Sequence, residues 1–149
     1  MKIFSLFLFM TVGFFTGTNH YFKEESITSL EIERINSRIG DIRNMITIDK
    51  KYNTKIAFLI DMKVPSGKNR FFVYDLENNK VLDQGLVAHG SGSETGIKGL
   101  LRFSNTPNSN CTALGRYVVE KCYKGIFGKA YRLNGLEESN NNALKRAIV

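Results

Sequence analysis

From Thr54 onward the chain is a succession of short apolar runs cut apart by turn-forming residues, a rhythm that strands can use and long helices cannot. "TKIAFLIDM" is apolar on both faces through most of its length, as in a strand lying beneath other elements. Pro65, Ser66 and Gly67 then supply a turn, and "RFFVYDL" reads as a second strand. Asn78 and Asn79 form a pair able to take the positive φ angles of a tight hairpin. The next run, "KVLDQGLVAHG", reads as a buried strand over Val81 to Ala88, and "GRYVVEKCY" and "KAYRLNGL" give two more, with "RAIV" beginning another. Between them lies a glycine, serine and asparagine stretch from Gly90 to Thr112, a length that ordinarily signals a functional or mobile loop. The expected fold is therefore mainly β.

Ahead of the strands the period changes. Ile27, Leu30, Ile35, Ile39, Ile42 and Ile46 recur at largely helical spacing, and Thr28 with Glu31 matches a capping box. This predicts an N-terminal helical segment within residues 19–53, lying on a main body of residues 54–149. Gly40 interrupts the pattern at a cost of about 1 kcal/mol relative to alanine, so a break or a second short helix is expected there.

The first 18 residues have the order of a secretory signal: Lys2, an apolar run from Ile3 to Phe15, then small polar residues. The run is shorter than the roughly 20 residues a bilayer requires. Phenylalanines occur all round it, which argues against a buried domain helix. Export to the periplasm or cell envelope is the expectation, with membrane contact only through this segment. An oxidising compartment leaves two readings open for Cys111 and Cys122, a disulfide or two buried thiols. Within its apolar strand Cys122 reads as core. The formal charge is +7, but Lys and Arg are scattered rather than gathered into a basic arm. Nucleic acid is thus not the expected partner, whereas an anionic polymer such as a bacterial wall is compatible.

Several runs in combination carry a resemblance. Val87, Ala88, His89 and Gly90 are followed by Phe103, Ser104 and Asn105, then Leu114, Gly115 and Tyr117, then Leu133, Gly135 and Leu136, then Asn140, Asn142, Ala143 and Arg146 to Val149. In this order they closely resemble the murein L,D-transpeptidase catalytic domain, in its YkuD-like branch, from about Thr54 to the last residue. The resemblance implies a β-sandwich-like enzyme of the bacterial envelope acting on peptidoglycan stem peptides. In that family a cysteine thiolate attacks the carbonyl of a diaminoacyl residue in a tetrapeptide stem, releases D-alanine, and passes the acyl group to an amine or to water. No cofactor or metal is implied.

The resemblance also implies that something is missing. The family's catalytic histidine, followed by glycine, comes directly after the strand that "RAIV" begins, and its nucleophile lies farther on in a Ser-x-Gly-Cys-Pro type motif; neither occurs in these 149 residues. The expectation is a partial catalytic domain over residues 54–149, with its fold incomplete at the C-terminus and no catalytic residue present. Cys111 falls where the family has serine-rich connector. His89, Ser104, Asn105 and Arg146 are the expected substrate-binding residues. The His89 imidazole is expected to organise its loop through Ser91 and Ser93 and to line the cleft, rather than to transfer a proton. Ser104 and Asn105 fit either a stem-peptide carboxylate or amide, or local turns. Arg146 fits either a carboxylate fork or an ion pair with Glu137 or Glu138. Two other functions compete: a non-catalytic secreted module that binds or inhibits at peptidoglycan, and an unrelated thiol hydrolase using Cys111 and His89.

Overall fold

The computed structural model describes residues 27–126 and 128–149. The expected signal segment, residues 1–18, lies outside the described residues. A helix, α1 (Ser29–Ile48), precedes a three-stranded antiparallel sheet of β1 (Ile56–Ile60), β2 (Phe71–Asp75) and β3 (Lys80–Gly85) in the order β1-β2-β3. A second, two-stranded antiparallel sheet joins β4 (Tyr117–Gly125) to β5 (Gly128–Gly135). The fold is mainly β with one N-terminal helix, as the sequence pattern required.

Helix α1 begins where the capping box placed it. The Thr28 hydroxyl accepts from the Glu31 N–H at 3.3 Å, and the Glu31 carboxylate accepts from the Thr28 N–H at 2.7 Å. No break occurs at Gly40: a side chain there would meet nothing within 4 Å, and the hydrogen-bonded turns on either side carry the helix through. Ile35 and Ile39 are buried against Ala57, Phe72, Tyr74 and Leu76, with Ile27, Ile42, Ile46, Leu59 and Val81 packed around them. Leu30 departs from the expected stripe and is exposed. Two arginines tie the helix to the sheet. Arg34 Nε lies 2.6 Å from Asp61 Oδ2, just beyond β1, and Arg43 donates to the Leu76 carbonyl and to Asn79 Oδ1.

The sheet is buried on one face only. In register, Ala57, Leu59, Phe72 and Tyr74 face the helix, whereas Phe58 and Ile60 lie on the opposite, exposed side beside Phe71. The burial of β1 on both faces suggested by its continuous apolar run is thus realised on one. β3 ends at Gly85, short of the Val81–Ala88 strand expected, and none of its residues is fully buried. The β2–β3 turn uses Asn79 at φ 53°, while the Asp75 carboxylate accepts from the Glu77 and Asn78 N–H groups.

The Gly90–Thr112 stretch is internally bonded rather than open. A 3-10 turn, Ser91–Ser93, is followed by an isolated bridge between Glu94 and Leu101. No strand forms at "RAIV": Ala147 takes φ 55°, and Ile148 accepts from the Leu133 N–H of β5 at 3.0 Å while its own N–H turns back to the Ala143 carbonyl at 3.0 Å. Among the described residues no helix is long and apolar enough to cross a membrane.

Candidate functional site

His89 sits where the extended segment after β3 enters the 3-10 turn, and its position is fixed by a residue the sequence did not advertise. Arg70, directly before β2, is fully buried. Its guanidinium donates to the Val64 carbonyl at 3.1 Å and to the Val87 carbonyl from both Nε, at 2.9 Å, and Nη2, at 2.6 Å. Nη2 also lies 3.1 Å from His89 Nδ1. A guanidinium only donates, so Nδ1 must accept and the ring proton sits on Nε2. That proton is given to Glu94 Oε1 at 2.5 Å. Burial lowers the Arg70 pKa from its ordinary value, yet an arginine side chain remains charged in proteins. Both imidazole nitrogens are therefore engaged, and neither bonds to Ser91 or Ser93, contrary to expectation. The hydroxyl of Ser93, a buried residue, instead accepts from the Thr112 N–H at 2.9 Å.

Ser66, Leu86, Val87, Ala88 and His89 line an open depression of about 360 Å³. That is within the size range of small-ligand sites, although this one is shallow and walled on few sides.

The remaining expected residues meet in a second cluster, which holds the loops of residues 90–149 together. Gly92 allows the 109–111 segment to pass close by: a Cβ there would lie 2.0 Å from the Ser109 carbonyl oxygen. Arg146 lies across the same segment and donates to the carbonyls of Ser104, at 2.8 Å, and Cys111, at 2.5 Å, and to Ser109 Oγ at 3.3 Å. Of the two readings the sequence left open for Arg146, the ion pair with Glu137 or Glu138 does not form; Glu137 pairs with Arg116 at 2.6 Å. Asn105 donates from Nδ2 to the Glu138 carbonyl and Asn141 Oδ1, each at 2.8 Å, and accepts at Oδ1 from the Asn142 N–H at 3.3 Å. Ser104 Oγ accepts from the Thr106 N–H at 3.1 Å, which is the local-turn arrangement. Asn140 is fully buried, bridging the Glu137 N–H and the Arg116 carbonyl. Gly135 permits this, because a Cβ would lie 2.0 Å from the Asn140 carbonyl oxygen. Beside it the Tyr117 hydroxyl donates to the Ala113 carbonyl at 2.7 Å, and burial pushes its pKa up.

The two cysteines are free thiols, so no disulfide joins them. Cys111 is buried and donates to the Gly92 carbonyl at 3.0 Å. The nitrogens of His89 are held by Arg70 and Glu94, so among the described residues no cysteine–histidine hydrogen bond forms, and the thiol hydrolase reading through Cys111 and His89 loses its base. Cys122 is exposed rather than core. It follows an irregularity in the β4–β5 register between Val119 and Cys122, in a ribbon whose faces are not covered there. Among the described residues no group of three His, Cys, Asp or Glu side chains is placed to hold a metal ion.

A family model described as the L,D-transpeptidase catalytic domain matches residues 26–149. The chain belongs to that family. The match begins ahead of the strands and takes in α1, whereas the sequence resemblance began near Thr54. No curated protein and no solved structure matches the chain. Membership gives the chain an L,D-transpeptidase-like function, that of a transferase acting on peptidoglycan. Among the residues that carried the resemblance, His89 lies in the first cluster, and Ser104, Asn105, Gly135, Asn140, Asn142 and Arg146 lie in the second. The sequence missed Arg70, which had no signal, since an arginine at a strand start ordinarily faces water. It singled out Ser93 but gave it the wrong partner, His89 in place of the Thr112 N–H.

Proposed function

We propose that these residues supply the frame and peptide groove of a thiol-dependent acyl transferase of the bacterial envelope, and that neither Cys111 nor Cys122 is its attacking sulfur. The supporting observation is the state of the cysteines within a chain of this family. Cys111 is buried with its S–H given to a carbonyl, and Cys122 is exposed on a hairpin. Among the described residues neither thiol has a histidine as base.

In the proposed reaction a thiolate attacks the carbonyl carbon preceding the terminal D-alanine of a tetrapeptide stem. The C–N bond breaks, the D-alanine nitrogen takes up a proton, and a thioester remains. An amine of a second stem then attacks the thioester, gives up a proton, and expels the thiolate. The depression beside His89 is the proposed place for part of the stem, with Arg70 and Glu94 holding the ring that forms its wall. Ser104, Asn105 and Arg146 contribute to binding by holding the adjoining loops rather than through free side-chain groups. An exported location, directed by residues 1–18, is part of this proposal.

The test is D-alanine release from disaccharide tetrapeptides. The 149-residue chain is expected to release none, and the Cys111→Ser and Cys122→Ser variants to behave identically. Release by the chain that disappears in Cys111→Ser would overturn the proposal. A second reading, a non-catalytic module that binds or inhibits at peptidoglycan, is favoured by the same cysteine environments. It predicts that the chain co-sediments with purified peptidoglycan at moderate salt.

A further inference from the structure

The distal half of the β4–β5 hairpin is built unlike the rest of the fold. Lys121, Cys122, Tyr123, Lys124, Ile126, Lys129, Tyr131 and Arg132 are all exposed, so both faces of the ribbon meet solvent. A bare two-stranded ribbon is marginal in water. This one also opposes two like charges, since Lys124 pairs directly with Lys129 in the ladder, an arrangement that destabilises an isolated hairpin. Lys121 and Arg132 add two more cations, and Glu120 is the one carboxylate between Glu120 and Arg132. The turn sequence is Gly125-Ile126-Phe127-Gly128, apolar where tight hairpins ordinarily carry Asn, Asp or Gly. Ile126 is 97% exposed. Behind the tip, Lys129 Nζ lies 5.7 Å from the centre of the Tyr131 ring, and the Arg132 guanidinium lies 5.5 Å from that of Tyr123.

Read outward along the ribbon, Lys121 and Arg132 come first, then Tyr123 and Tyr131, then Lys124 and Lys129, and last the apolar tip, so the most apolar residue stands outermost beyond a band of cations and tyrosines, which suits a membrane–water interface. Ile126 is two residues beyond Lys124, a reach of roughly 7 Å at strand rise, and interfacial segments enter a bilayer by about 5–10 Å. We propose that this hairpin docks on a membrane surface rich in anionic lipid, with Ile126 at the acyl boundary and Lys121, Lys124, Lys129 and Arg132 on phosphate headgroups. A soluble polyanion would neutralise the same cations and relieve the Lys124–Lys129 repulsion, but it would leave Ile126 in water. The tip therefore favours lipid. This surface is separate from the expected amino-terminal apolar run and does not rest on the transferase reading.

The chain has no tryptophan, so Ile126→Trp in the full chain places a single indole at the tip. The apolar run of residues 3–15 is able to attach the chain to any vesicle, and this readout is confined to the hairpin. With vesicles of phosphatidylcholine and phosphatidylglycerol the emission is expected to shift to the blue. Lipids brominated near the top of the acyl chains should quench it, and high salt should reverse the shift. Each cation strengthens attachment about fivefold, so Lys124→Glu with Lys129→Glu in the same background should weaken the tip's response at least roughly 25-fold. Pure phosphatidylcholine vesicles should leave the emission as in water.

An unshifted emission on anionic vesicles overturns the proposal. So does an equal shift on pure phosphatidylcholine that survives the double charge reversal, which would show attachment without anionic lipid. A comparable shift with soluble polyglutamate would reassign the surface to a polyanion and overturn it as well.

Discussion

The two halves of this molecule are held together by different physics. From Ser29 to Gly85, one helix and one sheet close over Ile35, Ile39, Phe72, Tyr74 and Leu76, an apolar core. From Gly90 to Val149 the buried apolar residues are small, Cys111, Ala113 and Ala143, and the fully buried polar ones are Ser93 and Asn140. The second half is set by hydrogen bonds to main-chain carbonyls and by glycines that let two backbones meet. Arg70 and His89 join the halves. Apolar packing is non-directional and accepts substitutes of similar volume, whereas a polar clamp depends on donor positions and tolerates no isostere that lacks them.

Four measurements break or sharpen this contrast. The largest effect is expected in the apolar half. Phe72 is 1% exposed, and Phe72→Ala should cost about 3–5 kcal/mol in denaturant unfolding, with Phe72→Leu recovering a good part. In the polar half, Arg146→Ala should cost about 1.5–3 kcal/mol, because the Ser104 and Cys111 carbonyls lose a charged donor. Arg146→Met, which keeps most of the volume, should recover nothing. Recovery by methionine would show that the second half is held by packing after all.

The third measurement sets two glycines against each other. Gly135→Ala drives a Cβ to 2.0 Å from a backbone oxygen and should cost about 1–3 kcal/mol. Gly40→Ala, on a helix surface with nothing within 4 Å, should stabilise by about 1 kcal/mol. Equal effects would deny that close backbone approach matters in the second half.

The smallest effect is electrostatic and local. Bonds from the Asn78 side chain and backbone hold the Asp75 carboxyl below the ordinary carboxylate range. Because the folded value lies below the unfolded one, the stabilisation is present above the unfolded pKa of about 4 and is lost as pH falls through the folded value. The Asp75 carboxyl carbon shift, followed by NMR, should titrate below that of a model aspartate, with the β2–β3 turn loosening as it does so. Titration at the ordinary value would remove the turn's electrostatic contribution.

The local features were legible before any coordinates. The Thr28 and Glu31 cap, the isoleucine stripe, the Asn79 turn and the positions of five strands all depend on residues within a few places of one another, and each carries its own physical signature. Burial was read less well, because it depends on what lies across the element. Cys122 looked like core from its apolar neighbours, but nothing in a strand's composition says whether a second layer will cover it.

The amino-acid sequence by itself determined the mainly β character, the helix and its start, and the family to which the chain belongs. Tertiary structure alone decided what the polar residues do. Arg146 reaches acceptors 35 and 42 residues away, and Arg70 meets His89 across 19. Most of these partners are main-chain carbonyls, which every residue possesses, so no letter of the sequence marks which carbonyl a buried guanidinium will find. Only the folded path of the backbone brings that oxygen within reach.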